Sequence, residues 1–157
     1  MGMQYDVKSI HAADDGLMVG YRTRLKGAVI FPFTNATGYS TFVNDVSMSG
    51  TYARSTTTAT ITVANHGLRT GQWVYLDWDL ADNPYQVTVT NADTFTVTVA
   101  NSDGTSGNVT VWGEVLTQAD ASNQTAYSVV IPGEGILAEN GIRVFLGANI
   151  HCTIFYG

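Results

Sequence analysis

Alternation of apolar and polar residues with a period of two runs through most of the chain, and no stretch has the spacing of an amphipathic helix. The clearest alternation lies between Thr58 and Val115, where large apolar residues alternate mainly with threonine. It predicts about five short strands, in the segments TATITVA, WVYLDW, YQVTVT, TFTVTV and NVTVWGEV. The segment NAD between the third and fourth of these suits a tight hairpin, so we expect them to be antiparallel neighbours. The pattern predicts an all-β protein.

Both ends of the chain have the same alternation, in RLKGAVIFPF, YSTFVND, AYSVVIP, GIRVFLG and IHCTIFYG. Neither end has enough strands to be stable alone, so we expect residues 1–55 and 116–157 to pair into one discontinuous, jelly-roll-like β-sandwich base domain. The small polar segments SMSGTYARSTTT and LTQADASNQT border the middle block. Residues 56–115 are therefore predicted to form an inserted five-stranded domain resembling a small β-barrel.

The charge of the chain limits its partners. Charged residues are only 13% of the 157 residues, and 13 acids against 7 bases give a formal net charge of -6. Such a chain is unsuited to a phosphate backbone, so we do not expect it to bind nucleic acid. Small monomers usually carry more surface charge, which favours a subunit covered by partners. No segment looks like a signal peptide or a membrane span, so we expect a soluble protein, made in the cytoplasm, with no membrane partner.

Polar side chains near the middle of the chain raise the question of a catalytic or metal site. His66, in the segment HGLRTGQ, could act as a base with Asp77 or Asp79 as its partner. The two glycines of this segment suit a turn that passes through positive φ, so we favour a structural bend. The segment DWDLADN offers oxygen ligands for calcium but lacks the Gly and the closing Glu of an EF-hand loop, so a solvated turn is preferred.

The single cysteine, Cys152, cannot form a disulfide within the chain. It alternates with the apolar residues of the last predicted strand, which favours a small buried side chain over a nucleophile. His151 then falls on the opposite face, where we expect it at the surface or in an interface. We predict no catalytic residue, no metal site, no cofactor and no enzymatic activity.

Aromatic residues of the middle block are candidates for an interaction surface. If Val74 and Leu76 face the core of the insert, Trp73 and Tyr75 face outward, and the same reasoning turns Trp112 outward from its strand. An outward aromatic group can stack on sugar rings, anchor a protein interface or pack the insert against its host domain.

Two phenylalanines near the C-terminus extend this prediction to the base domain. Phe145 and Phe155 lie on strand faces opposite Val144 and Ile154. One of those faces should meet solvent in a two-layer sandwich, so these rings suggest a contact between subunits. The predicted interaction residues are Trp73, Tyr75, Trp112, Phe145 and Phe155.

Two parts of the sequence resemble virion proteins of tailed bacteriophages. The stretch ATITVANHGLRTGQWVYL, followed by YQVTVTNADTFTVT, resembles a small β repeat with an HGL turn and a TFTV hairpin found in those proteins. Gln72 stands where an acidic residue commonly follows the glycine. The C-terminal run VVIPGEGILAENGIRVFLGANIHCTIFYG, with RLKGAVIF near the start, resembles short β-sandwich proteins of the virion through looser motifs. Neither pattern brings catalytic residues with it.

The resemblance implies a structural component of a bacteriophage virion, in the first place a capsid decoration (cement) protein that docks on the shell as an oligomer and stabilises it. The expected partners are other virion proteins, the major capsid protein foremost, and further copies of the chain. A homotrimer would suit the three-fold positions of a capsid. A tail, adaptor or fibre-associated protein is the first alternative, and a carbohydrate-binding module that uses exposed aromatics is the second.

Overall fold

The computed structural model describes residues 7–33, 36–100, 104–122 and 125–157. These ranges form strands and turns without a helix, so the predicted all-β class is confirmed. They accordingly contain no helix able to cross a membrane. The strands are β1 (Lys8–Ala12), β2 (Gly16–Val19), β3 (Thr23–Pro32), β4 (Gly38–Asn44), β5 (Ser47–Ser55), β6 (Thr58–Thr62), β7 (Trp73–Trp78), β8 (Asn83–Gln86), β9 (Thr88–Val89), β10 (Thr94–Thr98), β11 (Ser106–Ala121), β12 (Tyr127–Val130), β13 (Ile136–Ala138), β14 (Ile142–Leu146) and β15 (Ile150–Tyr156).

The chain divides into two compact units, a base of residues 1–45 and 116–157 and an insert of residues 46–115. The second border lies where the sequence placed it, and the first lies at 45/46 instead of 55/56. The difference is β5, which pairs with β6 and with the first part of β11 inside the insert. The polar segment SMSGTYARSTTT is therefore largely a strand, and Tyr52 in its middle is buried in the core of the insert.

The base is built from two antiparallel sheets. One has the order β1-β15-β3-β12, with β13 also paired to β3, and the other has the order β2-β14-β4-β11. Alternate residues of both sheets meet in one core, as the sandwich prediction requires. Leu25 and Ile30 of the first sheet and Phe42 and Val144 of the second are completely buried there.

The strands of the insert follow the order β9-β10-β6-β5-β11-β7-β8. The expected single strand YQVTVT is divided into β8 and β9 at Val87, whose buried side chain joins the core. In the described part of the insert, β8 pairs only with β7 and β9 pairs only with β10, so the sheet does not form a closed barrel. The predicted hairpin is present, because β9 and β10 pair antiparallel with Val89 opposite Phe95.

The predicted apolar face of the insert is its core. Ile61 of β6, Leu76 of β7, Phe95 of β10 and Val111 of β11 are all completely buried. The alternating threonines leave one side of these strands polar, and the apolar side packs inward. The sequence pattern therefore assigns the inward face of these strands correctly.

Candidate interaction surface

The HGLRTGQ segment is a bend fixed to the neighbouring hairpin. The buried His66 ring uses both nitrogens on main-chain atoms: Nε2 lies 3.0 Å from the carbonyl oxygen of Asn91, and Nδ1 accepts from the Leu68 amide at 3.0 Å. The ring also meets Phe95 edge to face, with centroids 5.3 Å apart. A general base needs a ring nitrogen directed at substrate, and both nitrogens here are engaged in holding the turn.

Two of the three carboxylates of DWDLADN also have structural partners. Asp79 accepts a 2.5 Å hydrogen bond from the Tyr52 hydroxyl, and Asp82 accepts one from the Trp78 amide at 2.9 Å. Burial, the hydrogen bond to Asp79 and the Asp79 charge raise the pKa of Tyr52 to about 12. Among the described residues, no group of three or more His, Cys, Asp or Glu side chains is arranged to hold a metal ion.

Cys152 lies where the sequence placed it, in the base core, with Ile154 as its neighbour on the same strand face. Burial raises the pKa of its thiol to about 12, so the reactive thiolate is disfavoured. His151 lies on the opposite, outer face and is only partly covered.

The predicted aromatic platform of the insert is only partly present. Trp73 is 48% exposed as expected, and Trp112 is half-buried. The prediction that Tyr75 faces solvent is wrong, since its side chain is only 3% exposed. Tyr75 lies on an interior strand with Trp112 opposite on one side and Pro84 opposite on the other. Both faces of β7 are covered at this point, which a single-sided sheet would not allow.

The two phenylalanines of the base have different environments. Phe145 is only 7% exposed, so its ring is not accessible to a partner in the way that the predicted subunit contact requires. Its partner in the β4 register, Thr41, is completely buried on the same face, while Phe42 and Val144 fill the sandwich core on the other. The β4–β14 pair is thus buried on both faces. Phe155 is half-buried and lies on an outer face.

The outer face of the sheet β1-β15-β3-β12 is the most distinctive surface of the base. Strand pairing arranges its side chains in rows that run across the strands, on the side opposite the buried Ile30, Cys152 and Ile154. Among the described residues, no charged side chain lies in these rows. The first row is Ser9, Phe155, Gly27 and Val130; the second is His11, Thr153, Val29 and Ser128; the third is His151 and Phe31.

One corner of this outer face is a cluster of four rings. The Phe33 and His151 rings stack with centroids 4.9 Å apart and an interplanar angle of 25°. His11 lies 5.7 Å from His151 and 6.4 Å from Phe31, measured between centroids. Its Nδ1 is 3.1 Å from the Thr153 hydroxyl. The cluster remains open to solvent, because Phe33 is 56% exposed.

Cations border the outer face at the beginning of β3. The Arg24 guanidinium donates to the carbonyl oxygen of Gly135 at 3.2 Å, and the Lys26 ammonium donates to that of Glu134 at 2.7 Å. Both bases are therefore held against the segment that precedes β13. The uncharged rows begin at Gly27 of β3 and continue to the end of that strand.

Most residues of this face were not predicted as candidates. Of the five predicted interaction residues, only Phe155 belongs to it, and Trp73 is exposed elsewhere, in the insert. The run AVIF in β3 carries the missing signal, since four consecutive apolar residues give a strand two apolar faces. Comparison with protein-family models and with curated proteins found no match to this chain.

Proposed function

We propose that this protein is a structural, non-catalytic component of a bacteriophage virion: a capsid decoration protein that docks on the shell as an oligomer. The observation that carries the proposal is the uncharged outer face of the base, with Phe33 and Val130 exposed to solvent. Exposed apolar side chains on a face without charge suit a protein contact, because the cores of interfaces are depleted in charged residues. The resemblance to virion proteins supplies the kind of assembly.

The side-chain contacts of the chain agree with a function that depends on buried contact area and not on catalysis. The groups that invite a catalytic interpretation, His66 and Asp79, are occupied in holding turns and strands together. A decoration subunit stabilises a shell because it binds the assembled form across neighbouring capsomers and shifts the assembly equilibrium by mass action. Such a role needs a rigid scaffold and contact surfaces, which a packed β-sandwich provides.

The test is binding to capsids that lack decoration. Purified protein is mixed with undecorated shells of candidate phages, and the bound protein is quantified after sedimentation. Saturation at a fixed number of copies per capsomer, with a higher temperature of shell disassembly, is the expected result. Saturable binding to purified tails, with no binding to shells, would support the alternative role as a tail or adaptor protein. Absence of binding to either particle would overturn the proposal.

A carbohydrate-binding role is the second candidate, and one observation favours it. The exposed Trp73 ring borders an open depression of about 420 Å³ that also includes Tyr85, Gln86, Thr88 and Thr98. An aromatic face beside amide and hydroxyl groups is suited to a sugar ring. Glycan-array binding that is lost in Trp73→Ala and kept in Leu17→Ala, an exposed apolar position in the base, would establish this role.

A further inference from the structure

We propose that the outer face of the sheet β1-β15-β3-β12 binds a second copy of this chain, in a contact that acid weakens. The inference deepens the proposed function, because it identifies the surface that makes the subunit an oligomer. It commits to the same protein as the occupant of the face. Docking on a shell would then use other surfaces of the chain.

The absence of charge on this face is the first argument for a second copy. A partner that buries the rows of Phe155, Val29 and Phe31 must bring no unpaired charge with it, since a buried unpaired charge is strongly unfavourable. Another copy of the chain presents the same uncharged rows. A two-fold symmetric contact places this patch against itself and makes a dimer, the commonest closed homo-oligomer. Each copy carries a net charge of -6, and a face without charged side chains adds no local like-charge repulsion to the contact.

The size of the face is the second argument. Four strands about 4.8 Å apart, with about five residues of about 3.4 Å each, cover on the order of 300 Å². A standard interface buries about 800 Å² on each partner, and a polar rim surrounds its apolar core. The rows therefore match the core of one such interface. Ser9, Ser128 and Thr153 provide hydroxyl groups within and around it.

The histidines make the contact sensitive to pH. Protonation of His11 and His151 would place two positive charges in rows that hold no carboxylate. The groups that face the imidazoles are uncharged on each element: Ser9 on β1; Thr153 and Phe155 on β15; Val29 and Phe31 on β3; Phe33 just after β3; Ser128 and Val130 on β12. Arg24 and Lys26, which border the face, are cationic, and Glu134, whose carbonyl oxygen accepts from Lys26, is an acidic residue beside them. Histidine changes its charge between about pH 5 and 8, so acid should weaken the contact.

The test measures the mass of the full chain by light scattering over a dilution series. We expect an oligomer at pH 8. Val130→Asp places one charge on a side chain that is 80% exposed, so the fold should tolerate it. The dissociation constant of the Val130→Asp oligomer should be at least about 30-fold higher than that of the wild type, because the added charge would be buried without a partner. Leu17→Asp, which adds the same charge at an exposed position of β2 in the other sheet, should remain oligomeric.

A second variant isolates the histidines. Wild-type association should weaken at least about tenfold between pH 8 and pH 5, and His11→Gln with His151→Gln should associate equally at both values. A monomeric wild type at every concentration, or equal association by Val130→Asp and wild type, would overturn the inference. Equal pH dependence in the double histidine variant would also overturn it. Shell binding by a monomer would overturn it and leave only the shell-docking part of the proposed function standing, and an oligomer that ignores shells and tails would do the reverse.

Discussion

Replacement of His66 by alanine tests whether the HGLRTGQ turn is structural. The change removes a buried ring that bonds to the Leu68 amide and the Asn91 carbonyl and that meets Phe95 edge to face. Two hydrogen bonds contribute about 1 kcal/mol each, and the partners left behind add a desolvation cost where they stay buried. The lost aromatic contact adds about 0.5–1.5 kcal/mol. The sum is about 2–4 kcal/mol, at the lower end if water reaches the turn.

Thermal and urea unfolding of the full chain, followed by circular dichroism, measure this loss. A domain of the size of the insert, residues 46–115, loses roughly 4–8 °C of melting temperature per kcal/mol. We therefore expect the transition of the insert to fall by about 10 °C or more. Amide exchange adds a local reading, because the Leu68 amide loses its acceptor in His66→Ala and should exchange faster.

Arg69→Ala is the matched control, since it removes a large exposed side chain from the same turn. The main-chain amide of Arg69 donates a hydrogen bond to the Gln72 side chain, and the substitution leaves this donor in place. We expect this control to change stability by less than about 0.5 kcal/mol. A loss that small in His66→Ala would refute the structural explanation, and loss of a binding or catalytic function without loss of stability would assign His66 a different role.

Three further predictions concern buried groups and close contacts. Tyr52→Phe, which removes the hydroxyl that donates to Asp79, should cost about 1–3 kcal/mol in urea unfolding at neutral pH. Burial and Asp79 raise the pKa of Tyr52 from 10.0 to about 12, so its stabilisation is complete below pH 10 and is lost as the pH rises to 12, and Tyr52→Phe should show a smaller alkaline loss. Gly50→Ala should cost more than about 2 kcal/mol because its Cβ would collide with the backbone oxygen of Thr62 in β6, whereas Gly67→Ala meets open space and should cost only the roughly 1 kcal/mol of its positive φ. Cys152 should react with a thiol reagent only as fast as the protein unfolds, and prompt reaction of the native protein would contradict its burial.

Periodicity was enough to assign the inward faces of the insert, because its strands alternate large apolar residues with threonine. It was insufficient for Tyr75 and Phe145, which were expected on accessible faces and are buried. An alternation with a period of two indicates which side of a strand a residue occupies. It leaves open whether that side is covered. Covering depends on contacts between distant parts of the chain, which no local pattern encodes.

The border at 45/46 illustrates a second limit. SMSGTYARSTTT has the small polar composition of a loop, and only Tyr52 in it carries a large buried ring. The segment is ordered as β5 because both its neighbours, β6 and the first part of β11, supply hydrogen-bonding edges. Gly50 permits a close approach to β6 that any larger residue would obstruct. Long-range pairing has therefore overridden a weak local preference.

The outer face of the base depended on the same kind of long-range pairing. His11 and Thr153 are 142 residues apart in the chain and meet across the β1–β15 ladder. Each strand alone shows an unremarkable mixture of serine, threonine, histidine and phenylalanine. Only the register places them in rows without charge, and it also gathers the rings of His11, His151, Phe31 and Phe33 at one corner.

A patch of this modest size explains how such a subunit can remain dispersed before assembly and still associate firmly afterwards. An uncharged face on the order of 300 Å² is no larger than the biggest apolar patch on many soluble monomers, so a single contact between copies should be weak and reversible on dilution. On a particle, each subunit is held by several contacts at once, and linked contacts raise the overall affinity by orders of magnitude without a new interface. Weak contact between copies in solution and firm retention on a shell are therefore compatible. Two histidines lie at the corner of the face: His11, whose Nδ1 is bonded to Thr153, and His151, which stacks on Phe33. Their protonation gives acid a means to loosen the solution oligomer through charge alone.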